Sequence, residues 1–169
     1  MNNAESIATL AEALVGELIN AGQTVVTAES CTGGWIAKSI TDIAGSSQCF
    51  GYGIVSYSNT AKESLLGVDP LILDEHGAVS EQVVGQMASG ALKRSGADFA
   101  VAVSGIAGPD GGTQDKPVGT VWLCWANRTA NGEEFHVEQR FFRGDRESIR
   151  AQTVLLALQG IRERLRKGG

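Results

Sequence analysis

Two short apolar runs, each emptying into a cluster of small residues and glycines, restrict the fold more than any other feature of the chain. Residues 24–28 are β-branched and apolar, which suits a buried strand, and they lead directly into Glu29-Ser30-Cys31-Thr32-Gly33-Gly34. Residues 99–103 are almost continuously apolar, as expected of a strand covered on both faces, and lead into Ser104-Gly105-Ile106-Ala107-Gly108-Pro109-Asp110-Gly111-Gly112. The chain holds 22 glycines in 169 residues, well above the usual share of about 7%. They are clustered and not periodic, which excludes a collagen repeat or a low-complexity linker. Glycine is favoured where backbone turns sharply or approaches a ligand closely. Two such loops, each following a strand, predict a crevice at the carboxyl ends of neighbouring strands.

The rest of the chain supplies the layers. Ile7, Leu10, Ala11, Leu14, Val15 and Leu18 fall on one helical face, with Gly22 as C-cap. Residues 35–43 return to helical spacing, with Ile36, Ile40 and Ile43 inward. Residues 49–58 read as a strand in which Gly51 and Gly53 mark a bulge or a close backbone crossing. Asn59 is the expected N-cap of a short helix through Leu66, which puts Lys62 in its first turn, and Pro70 restarts the chain in a second short turn or helix. Ser80 caps a helix carrying Val83, Val84, Met87, Ala91 and Leu92 and ending at Gly96. Residues 118–126 and 134–142 read as an antiparallel hairpin across Asn131 and Gly132, and Asp145 opens a last helix with Ile149, Val154, Leu158, Ile161 and Leu165 inside. This order predicts an α/β fold: a three-layer α/β/α sandwich with a mixed, mostly parallel sheet, forming one domain over residues 1–169.

Charge and cysteine usage narrow the setting. A net charge of −5 with acids and bases interleaved, and only residues 162–167 locally basic, argues against a nucleic-acid surface, where affinity rests on many phosphate contacts. A narrow nucleotide pocket is compatible with it. Cys31, Cys49 and Cys124 are odd in number and irregularly spaced, without the paired spacing of a zinc site, and read as reduced thiols with no metal. Residues 1–10 carry Glu5 where a secretory leader would be basic and then apolar, and no run is long enough to span a bilayer. A cytoplasmic protein without a membrane partner is expected.

Ser30, where a strand gives way to a helix, is the leading nucleophile candidate. The backbone N–H groups of Thr32, Gly33 and Gly34 are expected to point unpaired ahead of the helix, able to hold an anion or a developing oxyanion. A plain capping role for Ser30 or Thr32 is the alternative. The two histidines are unpersuasive as bases: His76 falls in a turn beside Gly77, and His136 on an outward-alternating strand position. Lys62 suits better, because the positive end of a helix dipole and burial both disfavour its charged form. As a base it would need lowering from about 10.4 to roughly 7 or 8. Tyr57 could orient or relay a proton; a solvated lysine and a core tyrosine are the alternative. The 104–112 loop lacks the Gly-Lys-Ser/Thr ending of a Walker A motif and is no GxGxxG. It reads as a phosphate or ribose cradle, with Arg143 or Arg146 adding charge, or as a plain Ω-loop.

Thr27 through Gly34, Tyr57-Ser58-Asn59 with Lys62, Gly77-Ala78-Val79-Ser80, Ser104 through Pro109 and Pro117 through Val121 together resemble the CinA C-terminal domain family, over nearly the whole chain. The resemblance implies a stand-alone amidase that converts nicotinamide mononucleotide and water to nicotinic acid mononucleotide and ammonia. It implies Ser30 as nucleophile, Lys62 as base and Tyr57 as helper, with no cofactor or metal. Substrate contacts are expected from Thr32, Gly33, Gly34, Ser104, Gly105, Gly108 and Arg146, and a homodimer is expected. Two rivals stand beside it. In one, the Cys31 thiol attacks, aided by Lys62 and Glu29; in the other, the chain is a non-catalytic nucleotide-binding or regulatory module linked to competence and DNA damage.

Overall fold

The computed structural model describes residues 6–168. Glu5 and the rest of the first five residues, on which the absence of a leader was read, lie outside that range. Helix α1 (Ile7–Ala21) is opened by the Ser6 hydroxyl and closed by Gly22 in the left-handed conformation, and it feeds β1 (Val25–Glu29). Then come α2 (Trp35–Thr41), the single 3₁₀ turn Ser46–Gln48, and β2 (Phe50–Val55). Three helices follow: α3 (Asn59–Leu66), α4 (Pro70–His76) and α5 (Glu81–Ser95). The chain finishes with β3 (Phe99–Gly105), the hairpin β4 (Thr120–Thr129) and β5 (Gly132–Phe141), and α6 (Arg146–Lys167).

The strands form one sheet in the order β2-β1-β3-β4-β5. β1 pairs in parallel with β2 and β3, β4 runs against β3, and β5 runs against β4. Four strands therefore share a direction and only β4 is reversed, which makes the sheet mixed, as expected. Alternation along the central strands divides the core in two. Val25, Phe99, Val101, Val103, Val121, Leu123 and Trp125 pack under α1, α2 and α6. Val26, Ala28, Ala100, Ala102, Cys124 and Ala126 pack against α3, α4 and α5. Helices on both faces are what bury β1 completely, and the result is a three-layer α/β/α sandwich.

Several boundaries differ from the sequence reading for local reasons. The N-cap of α3 is Ser58, whose hydroxyl accepts from Ala61 N–H, so Asn59 becomes the first helical residue. α2 ends at Thr41, two residues early, and Ile43 is only partly buried. His76 is the last residue of α4 and does not sit in a turn. Gly53 is needed where β1 and β2 crowd, since a Cβ there would lie 2.3 Å from Thr27 Oγ1.

Two glycines set helix positions. A Cβ on Gly90 in α5 would lie 1.9 Å from Leu66 O, so its absence lets the end of α3 lean onto α5. A Cβ on Gly160 in α6 would fall 2.1 Å from Trp125 Cε2. Trp125 Nε1 donates to Ala157 O at 2.9 Å, and the Arg164 guanidinium covers the indole at 4.4 Å from its centroid. Gly160→Ala should cost roughly 1–3 kcal/mol through overpacking. Gly85→Ala, also in α5 but with nothing within 4 Å of its Cβ, should gain about 0.5–1 kcal/mol in helix propensity. Thermal melting should move down for the first and up for the second; equal shifts would contradict this packing.

Candidate active site

Ser30 is the residue at which β1 stops and the layers open. Its N–H donates to Val103 O at 3.1 Å, so the β1–β3 ladder extends one step past β1, and Ser56 N–H does the same toward Glu29 O at 2.9 Å. Both neighbouring strands therefore fix the backbone on either side of the hydroxyl. The chain then passes from Ser56 and Tyr57 into α3, whose first turn brings Lys62 back over the end of β1. Lys62 is 1% exposed. Its Nζ donates to Ser30 Oγ at 3.0 Å, to Ser56 O at 2.9 Å and to Tyr57 O at 3.5 Å.

All three hydrogen-bond partners are uncharged. Burial, one of the two causes expected from the sequence, holds the Lys62 pKa below the ordinary lysine value, against a smaller opposing contribution from Cys31.

The loop after Ser30 is built differently from the sequence expectation. α2 does not begin until Trp35, because Gly33 and Gly34 adopt left-handed φ values of +60° and +98° and make an extra turn. Gly33 N–H is spent on Ser30 O, and Trp35 N–H on Thr32 O. The Glu29 carboxylate, fully buried, accepts from Thr32 Oγ1 at 2.7 Å, Ile36 N at 2.8 Å and Ala37 N at 3.0 Å. It caps α2 in place of the missing side chain at Gly34. Thr32, Gly33 and Gly34 thus line a separate hollow with Trp35, Lys38 and Arg150, and not the hollow that holds Ser30. The structure thus places these three expected contacts outside the residues lining the Ser30 cavity. Cys31 is the loop residue that reaches the Ser30 cavity.

The Cys31 side chain is a different matter. Burial, with a smaller contribution from the Glu29 charge, pushes its thiol up to about 12. A neutral, buried thiol is a poor nucleophile, and Glu29, held by three donors, is committed to the helix cap. The arrangement disfavours thiol attack.

The cavity around Ser30 and Lys62 is about 240 Å³. Ala78 and Val79, just before α5, form one wall; Ser104, Gly105 and Ala107 form another. Ser104 Oγ donates to Ala78 O at 2.8 Å and ties the two walls together. Gly105 is required on the side away from the cavity, since a Cβ there would lie 2.6 Å from Val121 Cγ2. Arg146, the first residue of α6, stands at the mouth. It donates to Gly108 O at 2.8 Å and to the Tyr57 hydroxyl at 2.9 Å. Gly108 itself is outside the lining, and acts through that carbonyl.

Tyr57 is 60% exposed, so its ring frames the mouth, and only its carbonyl approaches Lys62. Asn59 also lines the cavity; the sequence reading used it as a cap and so overlooked it. Ser56, whose carbonyl is one of the Lys62 partners, gave no sequence signal, because backbone oxygens are anonymous in a sequence. His76 and His136 are elsewhere: the His76 carbonyl accepts from Lys116 Nζ at 2.7 Å, and the His136 ring sits 2.8 Å from Glu138. A larger open groove of about 620 Å³ between α3 and α5 is lined by residues such as Gln86, Ser89 and Lys93. There the Ser89 hydroxyl donates to the Glu133 carboxylate at 3.0 Å, and among the described residues no buried amine like Lys62 lines the groove, so size does not identify the reactive site here.

Comparison with known proteins agrees with this architecture. The family model described as the CinA C-terminal domain matches residues 7–165. Nicotinamide-nucleotide amidohydrolase PncC of Escherichia coli K12 is 58% identical over 146 residues, covering 86% of this chain and 87% of that protein. The protein of the same name from Pseudomonas putida is 52% identical over 157 residues, covering 93% and 96%. A CinA-like protein of Akkermansia muciniphila is 52% identical over 160 residues, 95% of this chain but 38% of the longer relative. The solved structure of a CinA superfamily protein from Klebsiella pneumoniae superposes with a TM-score of 0.90 at 37% identity, covering 96% of this chain and 99% of that one. With the family model spanning nearly all of the sandwich, the chain belongs to the CinA C-terminal domain family.

Proposed function

We propose that this chain, acting as one domain over residues 1–169, is a nicotinamide-nucleotide amidase that hydrolyses the carboxamide of nicotinamide mononucleotide to the carboxylate and ammonia. The observation that carries the proposal is the 3.0 Å contact between a buried Lys62 amine and the Ser30 hydroxyl, on a chain 58% identical to a protein named for that activity. A neutral amine has two N–H donors and one lone pair. Ser56 O and Tyr57 O accept the two donors, which leaves the lone pair for the Ser30 O–H.

In the proposed reaction Lys62 takes the hydroxyl proton as Ser30 Oγ bonds to the carboxamide carbon. The oxyanion that forms is stabilised by backbone donors of the peptide units that follow Ser30. Lys62 then returns the proton to the departing nitrogen, ammonia leaves, and water activated by the same amine hydrolyses the acyl-enzyme. Ser104 and Gly105 wall the pyridine side. Arg146 releases Gly108 O to take the substrate phosphate at the mouth. Tyr57 then serves by holding Arg146, with its hydroxyl on the guanidinium and not on Lys62. The reading assigns the chain to pyridine nucleotide recycling in the cytoplasm, as a homodimer. Among the described residues no helix is long and apolar enough to cross a membrane.

Ammonia release from nicotinamide mononucleotide by the purified protein is the direct test. Ser30→Ala should lower turnover by at least about 10³-fold, whereas Cys31→Ala should leave most of it; the reverse pattern would reassign the nucleophile. Mononucleotide binding without ammonia would favour a non-catalytic module, and equal rates on free nicotinamide would contradict a phosphate contact by Arg146.

The lowered Lys62 pKa fixes two signs. Activity should rise with pH as Lys62 loses its proton, with a midpoint below the ordinary value of about 10.4, and Lys62→Arg should remove both the limb and the activity. Between the folded and ordinary pKa values the unfolded chain binds more protons than the folded one, so stability should also rise with pH across that window. Urea unfolding of wild type and Lys62→Met at several pH values checks this. The rise should be missing from the variant.

A further inference from the structure

Arg150 lies one helical turn after Arg146 on α6, yet its guanidinium goes elsewhere. Nε donates to Cys31 O at 3.1 Å, Nη2 donates to Thr32 O at 3.0 Å, and the group covers the Trp35 ring at 5.4 Å from its centroid. It therefore touches the nucleophile loop from outside the Ser30 cavity, which it does not line. That loop needs an external hold. Gly33 and Gly34 are both left-handed, and its own backbone bonds are Gly33 N–H to Ser30 O and Trp35 N–H to Thr32 O.

We infer that Arg150 is the positioning residue of the nucleophile loop, gripping the Cys31 and Thr32 carbonyls so that the N–H groups following Ser30 are held ready for the oxyanion. The inference rests on the reading of Ser30 as nucleophile. In a trans peptide the C=O and the following N–H point in opposite directions. A Cys31 carbonyl fixed on Arg150 thus directs Thr32 N–H away from Arg150, and that N–H makes no backbone–backbone hydrogen bond among the described residues. Two adjacent carbonyls and an indole face suit a planar, forked, weakly hydrated cation; a lysine ammonium could satisfy one carbonyl as a point charge but could not span both while stacked. With both engaged nitrogens turned to the backbone, Arg150 works through the loop and not on the substrate.

The test is steady-state ammonia release from nicotinamide mononucleotide by the full chain carrying Arg150→Ala or Arg150→Lys. For Arg150→Ala, kcat should fall about 10- to 100-fold, as expected when donors are misplaced by a fraction of an ångström, with KM nearly unchanged. Added guanidinium ion should restore part of the kcat, and ammonium at the same concentration should not. Arg150→Lys should recover only a minor part. Wild-type kcat in either variant, or a raised KM with kcat intact, overturns the proposal. Should the alanine variant fail to fold by circular dichroism, the lysine variant carries the same comparison. A second readout separates this proposal from the proposed function: the rate at which a fluorophosphonate labels Ser30, located by peptide mapping, needs no amide substrate. Wild type that labels but releases no ammonia sinks the proposed substrate alone, whereas labelling of both variants at the wild-type rate sinks the role of Arg150.

Discussion

An amine buried without a counter-ion is the constraint around which this end of the molecule is arranged. Removing Lys62 from water is costly unless it sheds its charge or is well hydrogen-bonded, and the fold provides two carbonyls and one hydroxyl within reach of Nζ. Ser56 is anchored to Glu29 and Ser30 to Val103, so the backbone that carries the Ser56 carbonyl and the Ser30 hydroxyl is held by the sheet. Gly90 completes the arrangement from behind, letting α3 settle onto α5 with Leu66 buried beneath it. An amine buried in this way holds its proton less tightly than an exposed lysine, a perturbation of the kind that clusters at reactive sites.

The loop beyond Ser30 shows how a short helix can be started without a capping side chain of its own. α2 has only seven residues and a glycine at its N-cap. Glu29 reaches forward to supply the missing acceptor, and it takes the Thr32 hydroxyl as well. Arg150 meets the same loop from α6. Between these contacts the peptide units after Ser30 are held from both sides, while Cys31 remains an uncharged thiol packed in the core. Adjacent in the chain, Ser30 contacts the Lys62 amine while Cys31 keeps a neutral, buried thiol.

Local signals were legible in the sequence wherever the physics is local. Gly22 and Gly96 end their helices in the left-handed conformation, and Ser80 and Asp145 open theirs by accepting N–H bonds. The apolar periods of α1, α5 and the two central strands predicted which side chains are buried. The same reasoning misplaced the α3 cap by one residue, because Ser58 and Asn59 are adjacent and both competent; only the path of the chain out of β2 chooses between them. It also missed that Glu29 caps α2 and that Gly33 and Gly34 add a turn before the helix, since a strand running into glycines looks the same whether the helix begins at once or after a further turn.

Residue types and their spacing were enough to determine the layers, the position of Ser30 at a strand end and the placement of Lys62 one turn into a helix. What only the tertiary structure decided is that these two, 32 residues apart, meet in one cavity, that Tyr57 turns its hydroxyl to Arg146, and that Arg150 reaches the loop after Ser30. Such contacts depend on strand order and helix docking, which bring together segments distant in the chain. No local propensity encodes the distance between them.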